Sequence, residues 1–202
     1  MISIIDHGCG NLHSIYHALK AIGKDVRISS NVEEILSSSG AVLPGVGAFG
    51  PAMQNLQAKQ LDQVVVEFAQ KGNRLMCICL GMHLLSTQGA EFGNCSGLGL
   101  IPGRVEKLEA QKTAKVPNVG WRPTKPTSHL HKFDLASENF YYYTHSYEFI
   151  PDNFEDIALT TYHGEKTVVA GLVRDNIVAT QFHPEKSGEA GLELLGKVFD
   201  GI

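Results

Sequence analysis

Cysteine is scarce in this 202-residue chain, and its four cysteines show no spacing typical of a disulfide framework. Cys77 and Cys79 are too close along one predicted strand to be bridged easily. A Cys-x-Cys pair without other clustered ligands is also a poor zinc signal, so no metal site is predicted. Reduced thiols of this kind are typical of a cytoplasmic protein.

Long apolar runs and a strong charge of either sign are also missing. Residues 75–85 form the longest strongly apolar run, about half of the ~20 residues that a membrane-spanning helix needs. Only the short apolar run 2–5 precedes Asp6, so no export signal is expected. A net charge of −4 gives no reason to expect a nucleic acid or a membrane as partner.

What the chain has is an ordinary globular composition, with 43% hydrophobic and 19% charged residues. The sequence contains no internal repeat, low-complexity tract or linker. Residues 1–202 are therefore expected to form a single domain.

In the first part of the chain, short apolar runs alternate with amphipathic stretches. Strands are predicted at residues 1–5, 25–29, 41–43 and 74–78, and helices at 11–22, 31–36 and 61–71. Strand–helix alternation favours a mostly parallel sheet covered by helices on both faces. Active sites of such sheets lie at the carboxyl ends of the strands.

Beyond residue 97 the pattern changes to short extended segments separated by turn residues. Strands, mainly antiparallel, are predicted at 140–149, 157–162, 168–173 and 177–181, with a loop at 123–130 and a final helix capped by Ser187. The predicted fold class is therefore α/β: a mixed, mostly parallel central sheet flanked by helices, with an additional antiparallel β section in the C-terminal half.

Cys79 ends the predicted strand 74–78, and Gly81 and a helix-forming segment follow at once. This order is typical of the nucleophile elbow, a sharp strand-to-helix turn that lifts a reactive side chain above a parallel sheet. The first free N–H groups of the helix then point at the place where a substrate oxyanion forms. Taken alone, a buried structural cysteine explains the pattern equally well.

The run Gln181-Phe182-His183-Pro184-Glu185-Lys186-Ser187 favours the catalytic interpretation. In an extended chain the side-chain period is two, so His183 and Glu185 are expected to leave the same face of a strand end. A cysteine, a histidine that takes its proton and a carboxylate that orients the histidine make a catalytic triad. Cys79, His183 and Glu185 are therefore predicted to be catalytic.

With these residues in place, the chain resembles the class I (triad) glutamine amidotransferases, whose fold is flavodoxin-like. Within that family it looks like the glutaminase subunits of imidazole glycerol phosphate synthases, over nearly its whole length. Besides the two catalytic runs, the resemblance rests on Asp6-His7-Gly8-Cys9-Gly10-Asn11-Leu12, Pro44-Gly45-Val46-Gly47, residues 97–103, Pro117-Asn118-Val119-Gly120-Trp121 and His145-Ser146-Tyr147.

The resemblance implies hydrolysis of L-glutamine to glutamate and ammonia, with no metal or organic cofactor. It implies an oxyanion hole at Leu80, Val46 and Gly47. It also implies that the substrate glutamine is bordered by Gly45, His83, Glu91, His145, Ser146 and Tyr147.

The resemblance further implies a heterodimer with a (β/α)8-barrel cyclase or synthase subunit. That subunit would use the ammonia to make imidazole glycerol phosphate and aminoimidazole carboxamide ribonucleotide in histidine biosynthesis. Its contact surface is expected around Asn11, Trp121 and Lys186. The sequence has no G-x-x-x-x-G-K-[ST] phosphate loop, so the acceptor substrate is expected to bind the other subunit.

Three positions depart from the family's usual residues: Cys77 stands in place of glycine, His83 of glutamine and Arg122 of asparagine. An imidazole can replace an amide as donor or as acceptor, but not as both in the same geometry. Two alternatives therefore stay open. One is a paralogous glutaminase that feeds a sugar-amidating enzyme in surface polysaccharide synthesis, and the other is a non-catalytic regulatory docking subunit, against which the intact triad argues.

Overall fold

The computed structural model describes residues 1–91, 93–128 and 138–202. Within them, the strands are β1 (Ile2–Ile5), β2 (Val26–Ser29), β3 (Gly40–Leu43), β4 (Arg74–Ile78), β5 (Gln88–Gly89), β6 (Cys95–Ser96), β7 (Gly103–Lys107), β8 (Asn118–Pro126), β9 (Asn139–His145), β10 (Tyr147–Pro151), β11 (Ile157–His163), β12 (Lys166–Arg174) and β13 (Ile177–Thr180). The α-helices are α1 (Leu12–Ala21), α2 (Val32–Leu36), α3 (Phe49–Ala58), α4 (Leu61–Gln70), α5 (Leu80–Leu84) and α6 (Gly188–Val198). None of these helices is long and apolar enough to cross a membrane.

A nine-stranded sheet in the order β2-β1-β3-β4-β13-β12-β11-β8-β9 forms the centre of the molecule. The strands from β2 to β13 pair in parallel, and those from β13 to β9 pair antiparallel. A smaller sheet has the order β10-β7-β5-β6. The predicted α/β class with an antiparallel C-terminal section is confirmed, and most of that section continues the central sheet.

The parallel strands are buried on both faces because helices cover both. Leu75 and Cys77 of β4 belong to the apolar cluster that α3 and α4 complete. Met76 and Ile78 belong to the cluster on the other face, with α1 and α6. This is the two-residue period of a strand, and burial on both faces explains the continuous apolar run. Cys77 is thus a core residue, and burial raises the pKa of its thiol.

Helix α3 is an element that the sequence analysis missed. Its buried residues Phe49, Ala52, Met53 and Leu56 follow the i, i+3, i+4, i+7 spacing of an amphipathic helix. The glycines of segment 44–47 and Pro51 obscured this pattern, although proline is tolerated in the first turn of a helix. The helix matters for the site because it begins directly after segment 44–48 and holds the C-terminal end of that segment.

Two boundaries also differ from the prediction. The strand predicted at 140–149 is two strands, β9 and β10, which separate at Ser146 and belong to different sheets. The predicted loop 123–130 is wrong in its first part, because β8 pairs with β9 as far as Thr124 and with β11 from Thr124 to Pro126. Residues 129 and 130 lie outside the described part of the chain.

The carboxyl ends of β1, β3, β4 and β13 meet at one edge of the central sheet because these strands are parallel neighbours. The residues that follow these four strands are Asp6, Pro44, Cys79 and Gln181. The predicted catalytic cysteine and the catalytic run after β13 are therefore adjacent.

Candidate active site

The elbow holds Cys79 in a backbone conformation that few residues other than glycine adopt, with φ 54° and ψ −110°. Its N–H donates to the Thr180 carbonyl at 2.7 Å, and α5 begins at the next residue. A Cβ at Gly81 would lie 2.1 Å from the Leu43 carbonyl oxygen, so only glycine fits where α5 starts against the end of β3. The backbone thus has the strained strand-to-helix turn of a nucleophile elbow.

His183 and Glu185 are paired, but the geometric reason given from the sequence is wrong. Nδ1 of His183 lies 2.8 Å from Oε1 of Glu185. The chain does not stay extended, because the 3-10 helix Pro184–Lys186 follows His183 directly and carries Glu185. One tight turn, rather than the side-chain period of a strand, brings the carboxylate to the ring.

Ser187 closes this turn instead of capping α6 with its side chain. Its hydroxyl donates to the His183 carbonyl at 2.6 Å and accepts the Tyr142 N–H at 3.0 Å. The His183 N–H in turn donates to the Tyr142 carbonyl at 2.9 Å. The turn is therefore fixed to β9 on both sides of the catalytic pair.

His183 is only 1% exposed, and its pKa is nevertheless raised. Burial lowers its pKa, but interactions with Cys79 and Glu185 outweigh this and raise the pKa to about 9. Nε2 has no hydrogen bond of ordinary length to any residue described, which is common for catalytic contacts before substrate binds. At neutral pH the ring is therefore charged and can donate a proton to a leaving group.

A cavity of about 250 Å³ lies in front of Cys79 and His183. Its remaining lining residues are Val46, Gly47, Leu80, His83, Glu91, Pro117, Thr144, His145, Ser146 and Tyr147. The structure therefore brings together most of the residues predicted for the oxyanion hole and the substrate pocket. Gly45 and Glu185 do not line this cavity, since Glu185 lies behind His183 and Gly45 packs against α5.

The segment 44–48 is held at both ends. His7, which is 0% exposed, has its Nε2 2.8 Å from the Pro44 carbonyl oxygen. Gly45 lies so close to α5 that a Cβ there would be 2.6 Å from the Gly81 nitrogen. At the other end, Oε2 of Glu91 accepts the Phe49 N–H at 2.8 Å, at the start of α3. Only residues 46–48 lie between these attachments.

His145, which also lines the cavity, is neutral and is held by hydrogen-bond partners at both ring nitrogens. Burial lowers its pKa to about 3, against the effect of its hydrogen bond to the Tyr147 carbonyl. Its Nε2 lies 2.9 Å from Nδ2 of Asn118, whose Oδ1 accepts from Arg122 Nε at 3.0 Å. Arg122 therefore helps to orient His145 through Asn118.

His83 is also neutral, because burial lowers its pKa to about 4 against the opposing effect of its bond to Gln181. Nε2 of the ring lies 2.7 Å from Oε1 of Gln181. The amide nitrogen of Gln181 lies 3.9 Å from the Cys79 sulfur. His83 thus lines the cavity while one of its nitrogens is occupied by a second buried residue.

The three residues predicted for a partner surface lie on elements around the turn Pro184–Lys186. Asn11 precedes α1, and both α1 and β9 contact this turn. Trp121 on β8 is 50% exposed and packs edge-on against Tyr142 of β9. Lys186, within the turn, is exposed. The elements that carry the three residues are therefore the turn itself, α1 beside it, and β8, which pairs with β9.

Sequence reasoning gave no role to His7, Asn118 or Gln181, although each stands in a segment that was singled out. Their partners lie 37, 27 and 102 residues away along the chain. A sequence pattern shows that such residues are polar, but contacts over these separations appear only once the sheet has formed. No group of three or more potential metal ligands occurs in the described residues.

Comparisons with known proteins identify the family of the chain. Residues 3–200 match the glutamine amidotransferase class-I family. A relative from Bacillus cereus (strain B4264), named imidazole glycerol phosphate synthase subunit HisH, is 41% identical over 100% of this chain and 95% of its own length. A relative of the same name from Chlorobaculum tepidum is 36% identical, over 96% and 97% of the two chains.

Solved structures agree on the fold. One described as a glutamine amidotransferase superposes with a TM-score of 0.71 at 14% identity and covers 98% of each chain. PurLQS from Thermotoga maritima superposes with a TM-score of 0.68 at 16% identity, over 98% of this chain and 95% of the other. At such low identities the likeness concerns the arrangement of strands and helices alone.

Proposed function

Because the chain belongs to the glutamine amidotransferase class-I family, and within it to the family of imidazole glycerol phosphate synthase HisH subunits, we propose that it is the glutaminase subunit of such a synthase. It hydrolyses glutamine to glutamate and ammonia, and the ammonia passes to a synthase subunit that makes imidazole glycerol phosphate and aminoimidazole carboxamide ribonucleotide in histidine biosynthesis. Residues 1–202 act as one domain. The observation that carries the proposal is that Cys79 of the elbow and His183 line one cavity, while Glu185 lies 2.8 Å from Nδ1 of His183.

In the first half of the reaction, Cys79 is acylated. His183 takes the thiol proton, and the thiolate attacks the carboxamide carbon of glutamine. The resulting tetrahedral intermediate collapses when His183 returns this proton to the departing nitrogen, which leaves as ammonia. Glu185 holds the ring through Nδ1–H and stabilises its charged form.

In the second half, water cleaves the thioester. His183 accepts a proton from the water as its oxygen attacks the acyl carbon, and the carbon–sulfur bond breaks to give glutamate. The proton returns to the sulfur, so Cys79 ends the cycle as it began. The residues of the chain supply every proton transfer in this scheme.

The oxyanion of both intermediates needs two donors. One is the N–H of Leu80, the first residue of α5, which has no acceptor within its own helix. The other comes from Val46 or Gly47 across the cavity. Each such donor contributes ~10²–10³ in rate. Glutamine lies between them, bordered by His83, Glu91 and residues 145–147.

Segment 46–48 acts as the switch that couples hydrolysis to the partner. Gly45 is packed against α5 and Phe49 is bonded to Glu91, so the Val46–Gly47 peptide is the part that can turn. Gly47, with φ 102° and no atom within 4 Å of a Cβ built on it, permits this rotation. In the free chain the carbonyl of that peptide faces Cys79, and partner binding favours the state with the N–H inward.

The partner is a (β/α)8-barrel synthase subunit that docks as a heterodimer on Asn11, Trp121 and Lys186. Support comes from the exposed indole of Trp121 and from the position of all three residues beside the catalytic turn. Large aromatic side chains of this kind dominate many interfaces. Docking at this place gives ammonia a short path from Cys79 to the second subunit.

The test is to mix the purified chain with the barrel subunit of a histidine-pathway synthase and its nucleotide acceptor. We expect a stable complex, glutamate formation and imidazole glycerol phosphate made from glutamine. A chain that feeds a sugar-amidating enzyme would form no complex with this subunit. Absence of both the complex and the glutamate would refute the proposal.

A further inference from the structure

The Gln181 side chain is a buried hydrogen-bond donor that the mechanism above does not use. Gln181 follows β13 directly and is 0% exposed. Its Nε2 lies 3.9 Å from the sulfur of Cys79, and its Oε1 lies 2.7 Å from Nε2 of His83. The three side chains form a line from α5 through the end of β13 to the elbow.

The orientation of this amide follows from charge. A thiolate attracts an N–H and repels a carbonyl oxygen, so the amide nitrogen of Gln181 faces the sulfur and the oxygen faces the ring. The oxygen can only accept, so His83 must carry its proton on Nε2. A neutral imidazole has one N–H, and this one is used for Gln181.

We propose that His83 and Gln181 are positioning residues, in which the His83 N–H fixes the Gln181 amide so that its own N–H donates to the Cys79 thiolate. This inference rests on Cys79 being the nucleophile of the proposed function. It gives His83 a role beyond the substrate contact that the resemblance implies.

Other ionisable groups lie around Cys79. They come from several elements: His183 and Glu185 in the 3-10 turn, His83 in α5, His145 at the end of β9, Tyr147 in β10, and Glu91. Substitutions at His83 and Gln181 leave all the other groups in place. The effect of the proposed hydrogen bonds on Cys79 can therefore be measured separately.

The experiment measures how fast iodoacetamide alkylates Cys79 in the purified chain as a function of pH. Peptide-resolved mass spectrometry is needed because Cys9 and Cys95 are partly exposed and can also be alkylated. In Gln181→Glu an acceptor of the same shape replaces the donor, so the midpoint of the profile should rise by about one pH unit. At neutral pH alkylation then slows about tenfold.

The His83 variants test the second half of the proposal. His83→Leu removes the N–H that orients Gln181, so the midpoint should rise by about half a unit or more. His83→Gln keeps a donor for Oε1 of Gln181 and should restore the wild-type midpoint. Gln70→Glu, an exposed change on α4, is the control for added charge and should leave the profile unchanged.

An unchanged midpoint in folded Gln181→Glu and His83→Leu overturns the proposal. If Gln181→Glu fails to fold, the His83 pair alone decides, and equal midpoints in His83→Leu and His83→Gln overturn it. Failure of the proposed function has a different signature. In that case Cys79 of the wild-type chain reacts no faster than an ordinary thiol, and no glutamate forms with the synthase subunit.

Discussion

The two sides of the catalytic cavity are built differently. On the buried side, Cys79, Gln181 and His183 are at most 7% exposed and bonded to neighbouring strands or turns. On the loop side, Val46 is 42% exposed, and Gly47 adopts a φ of 102° with open space around it. The nucleophile is therefore held in place, whereas the loop that faces it has room to move.

This difference separates two tasks of a glutaminase subunit. Groups that are already in place cost no reorganisation when charge develops, so the buried side is suited to the chemistry. A short exposed segment with few packing contacts changes conformation at low free-energy cost, so the loop side is suited to control. The predictions that follow test this division, starting with the buried side.

The largest effect is expected for Cys79→Ala, which removes the nucleophile. Glutamine-dependent synthesis by the complex should fall by ~10³-fold or more, while synthesis from added ammonia stays intact because the acceptor chemistry belongs to the other subunit. Product formation with each nitrogen source is the measurement.

Cys77→Ala is the matched control, because Cys77 lies two residues away, is 0% exposed and belongs to the core. It should keep most of the glutaminase activity. A loss in Cys77→Ala as large as that in Cys79→Ala would mean that the elbow had been assigned to the wrong thiol.

Within the buried side, His183→Ala should lower the single-turnover rate by ~10²–10⁴, because the ring performs every proton transfer. Glu185→Gln should lower it less, since the carboxylate orients and stabilises the ring without exchanging protons. Rapid-quench measurement of glutamate formation compares the two. The reverse order of the two rates would contradict the assigned roles.

On the loop side, the free chain should hydrolyse glutamine ~10²–10³-fold more slowly than the complex, the cost of one misplaced oxyanion donor. Glutamate formation with and without the synthase subunit and its acceptor ligand measures this ratio. Equal rates would show that the loop side is as preorganised as the buried side.

The same assay, together with titration of subunit binding, tests the docking surface. Trp121→Ala should weaken association or activation without unfolding the chain. Phe154→Ala serves as the control, because Phe154 is an aromatic residue that is 70% exposed outside the proposed surface. Equal effects of the two substitutions would remove Trp121 from the interface.

A rise in pH should have a smaller but diagnostic effect on activity through the buried side. The pKa of His183 is raised to about 9, so kcat/KM of the complex should fall as the pH rises past about 9 and the imidazolium loses its proton. The raised pKa also contributes to the free energy of unfolding. This contribution is complete below about pH 6.5 and is lost as the pH rises to about 9. In Glu185→Gln the alkaline decline should begin at lower pH, because one of the causes of the raised pKa is gone. A pH profile of kcat/KM identical in both proteins would contradict this pairing.

Two glycines in the same loop sharpen the comparison further. Gly45→Ala should lower the free energy of unfolding strongly, because its Cβ would lie 2.6 Å from the Gly81 nitrogen. Gly47→Ala meets no such contact and should lower the free energy of unfolding by only about 1 kcal/mol, because alanine is strained at the positive φ of this position. It should also change the activation by the partner. Denaturant unfolding curves and glutaminase assays test the pair. Equal losses of stability would mean that both glycines are packed alike.

The sequence was sufficient where the signal is local. Cys79-x-Gly81 after an apolar strand predicted the elbow, and His183-x-Glu185 predicted the pair, although through the wrong backbone geometry. The helix around Met53 was missed because glycine and proline near its start resemble a turn. The contacts of His7 with Pro44 and of Gln181 with His83 were out of reach, since they depend on which strands become neighbours.

The parallel pairing of β4 with β13 also has a consequence for how activity is acquired during folding. His183 and Glu185 are two residues apart and are brought together by a single turn, so their contact needs only local chain closure. Cys79 joins them only when β4 lies alongside β13. This pairing brings together segments that are far apart in the sequence, since 102 residues separate Cys79 from Gln181. Closing so long a loop is slow compared with local turns. The reactivity of Cys79 during refolding would therefore report the closure of the central sheet.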